Sequence, residues 1–181
     1  MGVGYETRRD LCRTSPHPGP PHRGEGAPRY VEIVPVINLL SPEATEAFGS
    51  SLALLLNPGD VIALKGDLGA GKTTLARGIL TGLGYAGEVA SPTFPIVIPY
   101  EELRVPVWHV DLYRIEDPAE IEELALDEAL LHAALLIEWP ERLGGGLWPA
   151  TLLLGLERSG EGSRALTAHV PPAWGTRWPP R

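Results

Sequence analysis

The chemistry of this chain begins at Gly66-Asp67-Leu68-Gly69-Ala70-Gly71-Lys72-Thr73, eight residues that satisfy the pattern G-x-x-x-x-G-K-[ST] at every fixed position. Glycine has no Cβ, so Gly66, Gly69 and Gly71 let the backbone curl its N–H groups around a phosphate, at the positive end of the helix that follows. The pattern expects Lys72 to set a cation against the β and γ phosphates of a nucleotide. It expects the Thr73 hydroxyl to be a ligand of the accompanying magnesium ion. Such a site needs an acid at the end of a strand beside the loop. Two residues qualify: Asp111, which ends Trp108-His109-Val110, and Glu138, which ends Leu135-Leu136-Ile137. The run before Glu138 is the cleaner buried strand, which puts its carboxylate at the mouth of the sheet, where open α/β folds bind ligands. His109 reads as a packed or hydrogen-bonded neighbour rather than a metal ligand, because no Cys or second His stands at ligand spacing. Trp139 reads equally as core filling or as a lid over the nucleotide.

These residues need a scaffold, and the flanking sequence supplies one. Val61-Ile62-Ala63-Leu64 is a short apolar run of the buried-strand kind, and Thr74 to Leu80 places Leu75, Ile79 and Leu80 on one helical face. Upstream, Ser41-Pro42-Glu43 starts a helix, with Ser41 as N-cap and Pro42 at the first helical position. Ala44, Ala47, Phe48, Ser51, Leu52 and Leu55 make its apolar side, and Asn57-Pro58-Gly59-Asp60 ends it. Residues 30–37 read as a strand that Pro35 pushes towards a sheet edge. Downstream, Glu101-Glu102-Leu103-Arg104 reverses a hairpin whose return strand covers 105–112. Asp117-Pro118-Ala119-Glu120 has the form of a capping box opening a helix with Ile121, Leu124 and Ala125 on its apolar side. Residues 151–156 and 164–170 form a second hairpin, and 171–181 form a tail without a clear element. The pattern predicts an α/β domain of the P-loop NTPase kind over residues 30–170, three-layered, with parallel central strands and antiparallel edge strands.

Composition narrows the partners. A chain of 181 residues fits one domain, and a net charge of −8 argues against a free-standing nucleic-acid binder, since phosphate backbones are held mainly by Lys and Arg. Residues 1–28, rich in Arg, Pro and Gly and poor in apolar side chains, are expected to be a disordered extension. Cys12 is the only cysteine, which excludes an intrachain disulfide and fits a reducing compartment. No apolar run approaches the roughly 18 residues of a membrane span. A cytoplasmic protein with no membrane contact is expected.

Four blocks together resemble the TsaE family, the small bacterial ATPases of tRNA threonylcarbamoyladenosine synthesis. They are Gly66 through Thr74, Ser91-Pro92-Thr93-Phe94, His109-Val110-Asp111-Leu112-Tyr113-Arg114 and Glu138-Trp139-Pro140, in family order and spacing, within a resemblance running from Tyr30 to Val170. The resemblance implies that the chain binds ATP and Mg2+, hydrolyses ATP slowly and works with TsaD and TsaB, meeting tRNA only through them. That pair modifies the adenosine 3′ of the anticodon in tRNAs reading codons that begin with A, and the ATPase resets or regulates it. Carried over by position, Gly69, Ala70, Gly71, Lys72, Thr73 and Thr74 hold the phosphates, and Thr73 with Glu138 holds magnesium. Lys72, Asp111 and Glu138 are then the catalytic set, with Asp111 polarising water or assisting the metal. Thr93 lies in a switch-like loop, and Thr45 matches a family threonine near the nucleotide, although it reads equally well as an ordinary first-turn residue. The C-terminal hairpin departs from the family's Gly-Arg-Glu pattern, reading Gly162-Ser163-Arg164, and no nucleotide contact is assigned there.

Two other classes compete. A guanine-nucleotide switch lacks its Asn-Lys-x-Asp motif here, and Asp111-Leu112-Tyr113-Arg114 is not Asp-x-x-Gly. A non-catalytic assembly module, in which bound nucleotide only shapes a partner surface, agrees with the same residues.

Overall fold

A computed structural model of the chain describes residues 32–33, 36–144 and 146–180. The expected extension over 1–28 and the edge proline Pro35 lie outside these residues.

The sheet grows outward from the strand that delivers the phosphate loop. β3 (Val61–Lys65) is buried from Val61 to Leu64 and lies parallel to both β6 (Ala134–Glu138) and β7 (Leu152–Arg158). β5 (Val107–Asp111) adds parallel to β6, and β4 (Val97–Tyr100) closes that side antiparallel. On the other side β8 (Arg164–Val170) runs antiparallel to β7, and its free edge pairs with β1 (Glu32–Ile33) and β2 (Ile37–Leu39). The order is β1-β8-β7-β3-β6-β5-β4, a parallel centre with antiparallel margins, as the sequence predicts.

Strand alternation sorts the core onto two faces. Ile62 and Leu64 of β3 and Ala134 and Leu136 of β6 join a cluster with α1 (Pro42–Ala53) and α2 (Lys72–Gly82). Val61, Leu135 and Ile137 face a second cluster under α3 (Ala119–Glu122) and α4 (Leu126–Ala129). Three layers result.

α1 begins as expected: the Ser41 hydroxyl accepts from the Ala44 N–H at 3.1 Å, behind Pro42 at the first position. It then lies backbone to backbone against α2. A Cβ on Gly78 would stand 2.2 Å from the Glu46 carbonyl oxygen, and one on Gly49 would stand 2.6 Å from that of Leu75. Ser50 Oγ donates to the Gly78 carbonyl at 3.0 Å, and Arg77 pairs with Glu46 at 2.9 Å.

Two sequence readings change. The capping box at Asp117 does form, with Asp117 N–H donating to Glu120 at 3.2 Å and Ala119 N–H donating to Asp117 at 2.9 Å. The helix it opens stops after one turn, because Ala125 adopts a left-handed φ of 51° and the chain restarts as α4. The terminal segment, which shows no element in sequence, folds onto the domain. Its 3₁₀ turn, Pro172–Trp174, buries Trp174 completely, with the indole N–H on the Ala150 carbonyl at 3.1 Å. Arg177 stacks on that ring and grips Asp60 through both carboxylate oxygens at 2.6 and 2.9 Å. Among the described residues no helix is long and apolar enough to cross a membrane.

Candidate functional site

Parallel register puts the site residues at one end of the central strands. Leu64, the last buried residue of β3, pairs with Glu138, and Glu138 pairs with Asp111. Because Leu135 and Ile137 point to the α3 and α4 side, Glu138 points to the α2 side; Val110 imposes the same direction on His109 and Asp111. Both acids and the histidine therefore face the start of α2, where the glycine loop arrives.

The loop itself takes the conformation its glycines permit. Gly69 and Gly71 have φ of 73° and 104°, and no atom lies within 4 Å of where a Cβ on Gly69 would be, so that side of the turn is open. The Ala70 N–H donates inside the loop, to Asp67 O at 3.1 Å. Lys72 is 4% exposed; its ammonium donates to the carbonyls of Gly66 and Asp67 at 2.7 and 3.0 Å and lies 3.9 Å from the Trp139 ring centroid. Burial lowers its pKa from the ordinary lysine value, against the opposing pull of Glu138, Asp111, Glu141 and Asp67.

The first-turn threonine meets the strand acid directly. Thr73 Oγ1 donates to Glu138 at 3.0 Å from Oε1 and 3.2 Å from Oε2, and His109 Nε2 approaches the same Oε1 at 3.0 Å. His109 is thus the hydrogen-bonded neighbour that its sequence setting implies. Asp111 has different company. Its Oδ2 accepts from Ser91 and Thr93 hydroxyls at 2.9 and 2.8 Å, and its Oδ1 accepts from the Tyr113 N–H at 3.0 Å. In this arrangement Asp111 ties down the Thr93 loop, with three of its roughly four acceptor positions taken.

A cleft of about 240 Å³ runs between these groups, walled on the loop side by Gly69, Gly71, Lys72, Thr73 and Thr74. Thr93, Asp111, Glu138 and Trp139 wall the opposite side. Trp139 has a left-handed φ of 60°, which turns its ring out of the strand line, over Lys72 and 5.0 Å from the Tyr113 ring. Thr45 is not brought there: it is 1% exposed, it does not line the cleft, and its hydroxyl donates to the Ser41 carbonyl at 3.0 Å.

Sequence reasoning missed four wall residues, Leu68, Ser91, Tyr113 and Arg164, and the last is the least expected. Arg164, at the start of β8, donates from Nε to the Ala70 carbonyl at 2.6 Å and from a terminal nitrogen to the Gly69 carbonyl at 3.3 Å. It crosses 94 residues of chain to clamp the phosphate loop, and no local spacing announces that. Its only sequence signal is an arginine opening the last strand, one place away from the expected pattern. A larger hollow of about 590 Å³ lies over β7 and β8 beside Lys65 and Thr167, but neither Thr73 nor Glu138 lines it.

The donor set suits a hard divalent cation carried in by a ligand. Among the described residues no group of three His, Cys, Asp or Glu side chains could cage a metal alone. One hydroxyl and one carboxylate beside a phosphate cradle match the habit of magnesium, which takes few protein ligands and fills its shell with phosphate oxygens and water. The open glycine turn, with Lys72 beside it, fits the phosphates.

Comparison with known proteins gives the chain a family. The family described as "Threonylcarbamoyl adenosine biosynthesis protein TsaE" matches residues 39–166. The chain is 40% identical over 129 residues to the tRNA threonylcarbamoyladenosine biosynthesis protein TsaE of Bacillus subtilis, covering 71% of this chain and 80% of that protein. It is 40% identical over 134 residues to the protein of the same name from Streptomyces coelicolor, covering 72% of this chain and 90% of that one. Among solved structures it resembles YdiB of Bacillus subtilis, with a TM-score of 0.67 and 31% identity over 82% of this chain and 91% of that one.

Proposed function

This chain belongs to the TsaE family, and on that premise we propose that it binds ATP with Mg2+ and hydrolyses it slowly as a subunit of the tRNA threonylcarbamoyladenosine machinery. Its partners are TsaD and TsaB, and its role is to reset or regulate that pair between rounds of modification. The target is the adenosine 3′ of the anticodon in tRNAs reading codons that begin with A. A net charge of −8 supports contact with tRNA through the partners rather than through this chain.

The observation that carries the reading is the Thr73 hydroxyl resting on the Glu138 carboxylate at 3.0 Å, at the foot of the glycine turn. Gly69 to Thr74 cradle the triphosphate with backbone N–H groups and the α2 terminus. Lys72 turns its ammonium from the Gly66 and Asp67 carbonyls to the β and γ phosphates, and Trp139 keeps water from its flank. Thr73 and Glu138 hold the magnesium. When bound, that ion neutralises charge building on the β and γ oxygens. Thr93 leaves Asp111 as its loop meets the γ phosphate, which frees the Asp111 carboxylate to orient the attacking water. Arg164 keeps the loop closed by holding the Gly69 and Ala70 carbonyls.

The deciding experiment is multiple-turnover modification of tRNA by TsaD and TsaB with and without this protein. Addition is expected to convert a single round into many, and Lys72→Ala or Glu138→Ala is expected to lower ATP turnover at least 100-fold, on the order of the loss when a transition-state charge partner is removed, and to abolish the stimulation. Stimulation that survives in both variants would favour the assembly-module reading, and no stimulation by wild type would reject the process.

A further inference from the structure

The proposed function leaves the imidazole of His109 without a task. The ring has no exposed surface, and it stands on β5 two residues before Asp111. Its Nε2 lies 3.0 Å from Glu138 Oε1, the oxygen that also accepts from Thr73 Oγ1. Its Nδ1 is buried and meets no hydrogen-bond partner among the described residues.

These contacts define the ring's hydrogen bonding. A carboxylate only accepts, so the proton facing it sits on Nε2. The ring is therefore a rigid donor arm reaching diagonally from β5 to β6, whose register sets His109 opposite Leu136 and Asp111 opposite Glu138. At the far end, both Glu138 oxygens lie nearly equidistant from Thr73 Oγ1, so the carboxylate meets that hydroxyl edge-on.

We propose that His109 is a positioning residue of the cation site: its Nε2–H pins Oε1 of Glu138 and so holds the carboxylate plane facing Thr73. It touches neither nucleotide nor metal and acts only through Glu138. The proposal rests on reading Glu138 as the acid of the magnesium site. A buried carboxylate free to swing on its side-chain torsions would carry an ordering cost each time a cation arrived, and a fixed donor removes that cost in advance. A merely space-filling ring would leave cation affinity indifferent to where the donor nitrogen stands.

The test uses the full chain and two polar substitutions of similar bulk. The amide nitrogen of His109→Gln reaches the Nε2 position, whereas that of His109→Asn reaches only as far as Nδ1. Magnesium titrations of the ATP complex, read by calorimetry and not by turnover, are made on wild type, both variants and Glu138→Ala. Expected is a loss of about 10-fold or more in magnesium affinity for His109→Asn, with most of it recovered in His109→Gln. Equal affinities in the two variants, whether both normal or both weakened, overturn the positioning role. Unchanged magnesium affinity in Glu138→Ala instead overturns the underlying site reading. If neither variant melts cooperatively, ring ¹⁵N resonances of wild type decide: a proton on Nδ1 rather than Nε2 overturns the proposal, and the Nε2–H form, perturbed in Glu138→Ala, supports it.

Discussion

Lys72 sits under an indole with its ammonium on two carbonyls and almost no contact with water, and burial disfavours its charged form. The folded pKa therefore lies below 10.5, the value that the unfolded chain approaches. Between the two values the unfolded chain holds more protons, so stability rises with pH across that window, and below it the buried charge is a standing cost. Urea unfolding at a series of alkaline pH values should show wild type gaining on Lys72→Met as 10.5 is approached. A difference independent of pH would mean that the ammonium is not disfavoured at all. At this scale the sequence is a good guide to which side chains meet wherever they sit in a contiguous motif or at a strand tip. Thr73 and Glu138, 65 residues apart, meet as the motif requires because parallel register brings one to the other. Arg164 escapes such reading because its contact with the loop depends on a hairpin pairing, β7 with β8, that no local pattern fixes.

Among the elements, the contact of α1 with α2 decides how firmly the phosphate loop is held, because α2 begins at Lys72 itself. At Gly49 and Gly78 that contact is backbone to backbone. A methyl group at residue 78 would fall 2.2 Å from the Glu46 carbonyl, and no flexible side chain can yield to it. Gly78→Ala should thus cost about 1–3 kcal/mol by urea or thermal unfolding, despite alanine's better helix propensity, and should weaken nucleotide binding by tilting α2. An unchanged melting temperature would show that the helices can part freely. The Ser41 cap of α1 is legible in sequence because it is local, but the expected apolar side is not the buried one: the helix buries Thr45, Gly49, Leu52 and Ala53 and leaves Ala47 exposed, because close approach to α2 selects small residues rather than bulky ones. The split of the helix expected after Asp117 into α3 and α4 is not legible, since nothing in Leu124-Ala125-Leu126 announces a left-handed alanine.

Over the whole molecule, the least legible part is the tail. Pro and Trp carry no periodicity, yet among the described residues Trp174 is the bulkiest fully buried side chain, and Arg177 fastens the segment to Asp60, the residue that leads into β3. Trp174→Ala should therefore destabilise the domain by about 3–5 kcal/mol, and a smaller loss in denaturant unfolding would mean that the tail is an ornament. The glycine-to-backbone seam between the two long helices reaches further. Bodies meshed that closely have little room to slide, so under the proposed ATPase role the difference between loaded and spent nucleotide falls to the Thr93 loop and the turn at Trp139. Amide hydrogen exchange across a turnover cycle is then expected to change over residues 91–96 and 139–144 while residues 42–53 and 72–82 stay silent. On the proposed cycle, a partner that distinguishes the two forms would read a pair of moving lips on a motionless jaw.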